Sequence, residues 1–296
     1  MIQQPGAMTI YQPSEAASVV PAQAHSDEHL IALWLHGRPA TTARAYRADA
    51  REFLAHAGVP IRGVTLGAVQ SFVDSLAAMK PASRARKVSS IKSLLTFAHR
   101  LGYVTFNVGA AVKPPAIKNQ LAERILDEGA VHRLIALEPD ARNAAMLRLI
   151  YGAGLRISEA ASLCWRDLQP RDDAGQVAVF GKGGKTRVVL LPASLWRALV
   201  SLRGEASPDD AVFASAKGGA LDRSQVHRIV KAAAARAGLS AAVSAHWLRH
   251  AHVSHALDRG APAHLVQQTV GHASLATTSR YAHARPGDSS ARYLSV

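Results

Sequence analysis

Apolar positions along the chain recur mostly at intervals of three and four, the spacing that gathers side chains on one face of an α-helix. From Ser26 onward, Leu30, Leu33 and Trp34 fall on such a face, and Gly37-Arg38-Pro39 stops the segment. The pattern resumes after Thr41 or Thr42, either of which supplies an N-cap hydroxyl, and continues to His56 with Tyr46 and Phe53 inward. Thr65 precedes a third stretch, with Val69, Phe72, Val73 and Leu76 on an apolar stripe. A fourth runs from Pro81-Ala82-Ser83 to His99, with Val88, Ile91, Leu94, Leu95 and Phe97 toward a core. These stretches predict a compact all-helical domain ending near Asn107.

Lys113-Pro114-Pro115-Ala116-Ile117-Lys118 breaks the pattern and reads as an extended linker. Helical spacing returns at Asp127 to Leu137 and at Asp140 to Tyr151, where Gly152-Ala153-Gly154 ends it. The period then changes. Gln176 to Phe180 and Thr186 to Leu191 are β-rich runs flanking Gly181-Lys182-Gly183-Gly184-Lys185, which predicts a hairpin. Helices follow at Leu195 to Leu202, Arg223 to Ala237, His246 to Leu257 and Ala263 to Val270, with a short one around Tyr281. The final residues, with Asp288 or Ser289 as N-cap and Tyr293, Leu294 and Val296 apolar, predict a terminal helix that must bury one face. The fold class is therefore mainly α with a small antiparallel sheet. The organisation is a flexible leader (1–25), a helical domain (26–112), a linker (113–126), a mixed α/β domain (127–285) and a tail (286–296).

Charge adds a partner to this picture. Lys plus Arg number 35 against 21 Asp plus Glu, a formal +14, yet charged residues are only 19% of the chain and hydrophobic ones 48%. That excludes a disordered polycation and favours a polyanionic partner. Between Asp74 and Glu123 there is no acid, while Lys80, Arg84, Arg86, Lys87, Lys92, Arg100, Lys113 and Lys118 are cationic. A solvated helix face usually mixes signs for i,i+4 pairing, so a one-sign stretch suits a phosphate backbone. The single Cys164 has no partner for an internal disulfide and fits a reducing, cytoplasmic setting. The chain has no apolar run of about 18 residues and no cationic, apolar start, so neither a membrane span nor a signal peptide is expected.

Two familiar chemistries fail on inspection. Gly184-Lys185-Thr186 matches the end of a phosphate-binding loop, but that motif needs a Gly where Val179 stands and a helix after the loop rather than a strand. His246 and His250 have metal-ligand spacing on one helix, yet Trp247 occupies the position where a metalloprotease needs Glu. Neither a nucleotide nor a metal is implied.

What remains is a set of residues that make sense together. Gly154-Leu155-Arg156-Ile157-Ser158-Glu159, the hairpin-tip Lys182, His246-Trp247-Leu248-Arg249-His250, Gly271-His272 and, nine residues later, Tyr281 occur in one order. In that order and spacing the chain resembles the tyrosine recombinases, the phage-integrase family with Xer-like and Cre-like members, from about Ser26 to the C-terminus. The resemblance implies an N-terminal core-binding (SAM-like) domain and a C-terminal catalytic domain that form a clamp around DNA. It implies site-specific recombination without metal, nucleotide or other cofactor, by a homo-tetramer on two specific double-stranded sites, in the bacterial cytoplasm with the nucleoid. A mobile element, a second recombinase and a directionality factor all occur with such machinery.

Residue by residue, the resemblance assigns Arg156, Lys182, His246, Arg249 and His272 to the active site and Tyr281 to the nucleophile. The chemistry suits these types. Strand exchange without an energy source must keep the energy of the broken phosphodiester in a covalent protein link, and a side-chain hydroxyl forms one. Tyr281 would attack the phosphate, leaving a 3′-phosphotyrosyl bond and a free 5′-hydroxyl. Arg156 and Arg249 would bind the non-bridging oxygens as permanently charged forks. Lys182 would protonate the leaving oxygen, with Lys185, three residues on, either contacting backbone phosphate or taking that role. His246, three residues before Arg249, would accept the Tyr281 proton or bond a phosphate oxygen, His272 would donate to the phosphate, and Glu159 would orient Arg156. DNA-backbone contact falls to Lys80, Arg84, Arg86, Lys87, Lys92, Lys113, Lys118 and Lys185. Ala245 stands where many relatives carry Pro, and the leader has no matching motif. The alternatives are a type IB topoisomerase, which uses nearly the same residues, and a DNA-binding protein without catalysis. The tail would dock on a neighbouring protomer or on its own domain.

Overall fold

A computed structural model describes residues 22–116, 120–181 and 184–282. Lys118, Lys182, nearly all of the expected leader and the whole 286–296 tail lie outside the described residues. The chain parts into two compact units, Met1–Lys118 and Asn119–Val296.

The first unit is all-helical: α1 (Asp27–Leu35), α2 (Ala40–Ala57), α3 (Leu66–Ser75) and α4 (Pro81–Arg100). Local chemistry sets most of the boundaries. Ser26 and Thr65 accept from the backbone N–H groups of His29 and Ala68, satisfying donors that a helix start leaves open. Helix α2 begins at Ala40, behind Pro39, rather than after a Thr41 or Thr42 cap. Pro39 is itself the N-cap, with extended ψ of 139° and no side-chain cap bond, so the helix starts before either threonine and both lie in its first turn. The buried face of α1 is Leu30, Ile31, Trp34 and Leu35, which turns Leu33 outward at 37% exposure. The core gathers Leu30, Phe53, Phe72, Ile91, Leu94 and Leu95, with the Phe53 and Phe72 rings edge to face at 5.2 Å.

The second unit contains α5 (Glu128–Ala136), α6 (Ala141–Gly152), α7 (Ile157–Ala161), β1 (Leu168–Arg171), β2 (Ala174–Phe180), β3 (Thr186–Leu191), α8 (Ala193–Val200), α9 (Arg223–Arg236), α10 (Ala245–Asp258), α11 (Ala263–Val270) and α12 (Leu275–Ala282). The strands form an antiparallel sheet in the order β1-β2-β3, with Leu168 opposite Val177 and Val177 opposite Val189. Sequence periodicity gives β2 and β3 but not β1, whose four residues include Pro170. A strand that short, at the sheet's edge, tolerates a proline because one side of it donates to no neighbour. Val177, Val179, Val189 and Leu191 face inward, and Val188 and Leu190 face out. The inward residues pack with α5, α6, α8, α9 and the Leu248 side of α10 into the main core. A separate apolar cluster of Ile125, Val253, Val266, Val270 and Tyr281 fastens α11 and α12 to α10. No helix among the described residues is long and apolar enough to cross a membrane.

Candidate active site

Two glycines with left-handed backbone shape the site. Helix α6 ends just before Gly154, at φ +60°, where a Cβ would come within 2.7 Å of Val270 Cγ1 and 2.9 Å of His252 Cδ2. Only glycine fits both the backbone angle and that approach. The Gly154 carbonyl accepts from Arg249 Nη1, and the Val270 carbonyl accepts from Arg249 Nη2. Gly271, at φ +65°, ends α11 and turns its carbonyl to Arg156 Nη2 at 3.0 Å. Backbone oxygens thus fix both guanidiniums, which limits the entropy lost when they meet an anion. Arg249 is only 4% exposed. Burial, and then the Arg156 charge, pull its pKa down to about 10, which still leaves it cationic at neutral pH.

Glu159 is the centre of a buried ion network. Its Oε2 accepts from the Arg156 backbone N–H at 2.8 Å, closing the first turn of α7, and its Oε1 accepts from Arg156 Nη1 at 2.6 Å. Arg187, on β3, grips both carboxylate oxygens at 3.0 and 2.8 Å and donates through Nε to the Thr269 carbonyl at 2.7 Å. Burial alone would raise the Glu159 carboxyl, but the hydrogen bonds from Arg187 and the Arg156 backbone outweigh it and hold the pKa at about 2. The sequence pairs Glu159 with Arg156; it gives no hint of Arg187's partner. One signal was present: Arg187 shares the inward side of β3 with Val189 and Leu191, and an inward charge demands a counter-charge.

Tyr281 lies on α12 at 6% exposure, its ring among Val253, Val266 and Val270. Its hydroxyl meets His250 Nδ1 at 2.6 Å, whereas the resemblance gave His246 either the Tyr281 proton or a phosphate oxygen. His246 instead stacks on the His250 ring, centroids 5.5 Å apart. The two histidines are one helical turn apart, and the packing of α12 on α10 puts the hydroxyl beside the later one. His272 stacks on the Tyr281 ring at 6.1 Å and is fixed by Thr278 Oγ1, a fully buried hydroxyl 2.9 Å from Nδ1. Burial lowers both His250 and His272 to about 4, helped next by His246 and Arg249 for the first and by Arg249 and Arg156 for the second. His246 is lowered too, although solvent reaches its edge, by lost hydration and then by Arg249 and Arg156. Burial raises the Tyr281 hydroxyl. The histidines are therefore neutral and the tyrosine protonated at neutral pH.

Arg156 and His246 line one open cleft of about 900 Å³ together with Arg223, His227 and Arg228 of α9. Its cationic walls suit a polyanion. The hairpin tip bears Lys185, exposed, while Lys182 is outside the described residues. In the helical unit, Lys80 and Lys113 are exposed and Arg84 is half-buried. Three of the cations expected at phosphate already have protein partners: Arg86 with Asp49, Lys87 with Glu52, and Lys92 with the Val112 carbonyl. The acids missing from the 75–122 stretch thus come from α2. Their engagement leaves α2 with Arg44, Arg47 and Arg51, all exposed and spaced three and four apart. A search for unbroken charge runs overlooks this row because Asp49 and Glu52 are interspersed with it.

Residues 124–287 match the Phage integrase family, and residues 27–102 match the phage integrase N-terminal SAM-like domain. The tyrosine recombinase XerD of Mycobacterium tuberculosis is 33% identical over 276 residues, covering 83% of this chain and 88% of that protein. The tyrosine recombinase XerC of Mesorhizobium japonicum is 34% identical over 278 residues, covering 86% and 87%. Among solved structures, a lambda integrase dimer bound to a COC′ core site superposes with a TM-score of 0.71 at 18% identity, covering 88% of this chain and 77% of that one. The XerH site-specific recombinase bound to difH substrate gives 0.65 at 20% identity, covering 88% and 81%.

Proposed function

The chain belongs to the phage integrase family, the tyrosine recombinases, and on that premise we propose how its own residues perform the reaction. It is a site-specific recombinase, an enzyme that cuts DNA strands and rejoins them.

Tyr281 attacks the scissile phosphate and holds the strand as a 3′-phosphotyrosyl ester, so the bond energy is kept and no nucleotide is required. Arg156 and Arg249 receive the non-bridging oxygens. Each comes to the reaction already anchored by backbone carbonyls and, for Arg156, by Glu159. Donors fixed in advance stabilise developing charge without reorganising, and losing one such donor costs about 10²- to 10³-fold in rate. His246 at the cleft and His272 beside Tyr281 bond phosphate oxygens, and Lys182 protonates the departing 5′-oxygen. Lys80, Arg84, Lys113, Lys185 and the α2 arginines hold backbone phosphates. Protomers assemble as multimers on the paired sites.

The observation that supports this reading best is convergence. Arg156 after α6, Arg249 on α10 and the Gly271 turn after α11 are linked by hydrogen bonds, and Tyr281 lies against the same α10. A nicked duplex carrying the sequence that the wild-type protein enriches from a random pool tests it. Wild type should accumulate a covalent protein–DNA adduct and Tyr281→Phe none. Absence of an adduct with wild type would sink the enzyme reading, and relaxation of plasmids lacking the site would turn it toward a topoisomerase.

A further inference from the structure

We propose that His250, outside the set of six assigned above, is the general base that takes the proton of Tyr281 as its oxygen attacks phosphorus. This rests on the reading of Tyr281 as nucleophile. The geometry carries it: Nδ1 lies 2.6 Å from the hydroxyl, inside the reach a proton acceptor needs. Among the described residues, the other candidates are otherwise engaged. His246 stacks on His250, and the hydroxyl contact is to His250; His272 lies along the tyrosine ring with Nδ1 on Thr278, and Arg249 is a cation with no lone pair to offer.

The groups facing His250 favour the same assignment. Among the described residues they are His246 and Arg249 on α10, Tyr281 on α12, His272 before α12, and Arg124 in the short turn ahead of α5. On α6 and α5, Tyr151 and Glu128 address His252, His255 and Arg259 instead. Burial and these neighbours keep the imidazole neutral, and the proposal requires the tautomer with its proton on Nε2, which leaves the Nδ1 lone pair to accept from the hydroxyl. A phosphodiester bound by Arg156 and Arg249 adds negative charge nearby and raises the basicity of His250 when a base is needed.

The step balances. The Tyr281 O–H bond breaks as its oxygen bonds phosphorus, and the proton moves to Nδ1. The bond from phosphorus to the 5′-oxygen breaks, and that oxygen takes its proton from a separate acid, Lys182 in the assignment above. In rejoining, the imidazolium returns its proton to the phenolate that leaves.

The test uses single-turnover cleavage of the enriched nicked duplex, with DNA binding and thermal melting measured in parallel. His250→Ala and His250→Asn should bind DNA normally and cleave about 10²-fold or more slowly. Asparagine places an acceptor near the position of Nδ1 but takes up no proton, so wild-type cleavage by His250→Asn would reduce His250 to a positioning residue and overturn the proposal. A 5′-bridging phosphorothiolate, whose sulfur departs without protonation, should rescue Lys182→Ala and leave both His250 variants slow. Rescue of the His250 variants would place their defect on the leaving group and refute the assignment. If His250→Ala fails to fold, His250→Asn and the wild-type pH profile still decide. The wild-type rate should fall with acidification as the pH nears the pKa of His250, about 4 in the free protein and raised by the bound phosphodiester. A flat profile, or an acid limb unchanged in His250→Asn, would count against it. A wild type that forms no Tyr281 adduct would instead remove the premise, which is a separate outcome.

Discussion

Glu159 serves two arginines at once, and that makes it the most exacting side chain in the site. Its carboxylate is 4% exposed, Arg187's side chain is 14% exposed, and Arg156 keeps a third of its surface open toward the cleft. Removing the negative charge leaves a guanidinium buried without compensation, which costs about 3 kcal/mol or more. We expect Glu159→Gln to lower stability by that amount in urea titrations and to slow cleavage, because Arg156 loses its anchor. Combining it with Arg187→Met should cost less than the sum of the two single changes, since the buried cation disappears with its partner. Strict additivity would contradict the network. Half of this network is visible in the sequence, where Arg156 and Glu159 are three apart. The other half joins residues 28 positions apart and depends on how β3 packs against α7.

Helix α10 is the element on which the site is assembled, and its histidines make it sensitive to acid. Burial is the main cause that brings His250 and His252 to about 4 from an ordinary 6.5, and it does the same to His272 after α11. In each case the folded state resists a proton that the unfolded chain accepts. Their contribution is therefore complete above about pH 6.5 and is lost as pH falls toward 4, with a slope of about 1.4 kcal/mol per pH unit for each histidine fully engaged. Urea midpoints should decline steadily over that window, and a constant midpoint would show that these rings are not held neutral. Glu159 titrates lower, so its contribution persists until pH drops below about 4.5. The helical span of α10 is legible from the sequence, as are α11 and the two longer strands. The one-turn choice between His246 and His250 is not. Both lie on the same face, and only the docking of α12 through Val253, Val266 and Val270 selects between them.

At the scale of the whole molecule, the positive excess is divided between reaction and grip. Arg156 and Arg249 are held at the candidate site by Glu159 and backbone carbonyls, whereas Arg86, Lys87 and Lys92 are spent within the helical unit. The exposed row Arg44, Arg47 and Arg51 is then the clearest place for phosphate contact in that unit. Changing all three to Gln should weaken binding to the enriched site and to unrelated DNA alike. It should also reduce the slope of log affinity against log salt by up to about 3, with melting of the catalytic unit unchanged. An unaltered slope would remove these arginines from the DNA surface. The sequence by itself determined the helical periods, the hairpin, the basic balance and the order of the residues that mark the family. These follow from spacing along one chain and from side-chain chemistry, which are local. Tertiary structure alone decided that Arg187 shares Glu159, that α2 supplies acids to the basic helix, and that His250 rather than His246 meets Tyr281. Hydrogen bonds need partners within about 3 Å, and the rotation and register of packed helices, which periodicity leaves open, determine which groups come that close.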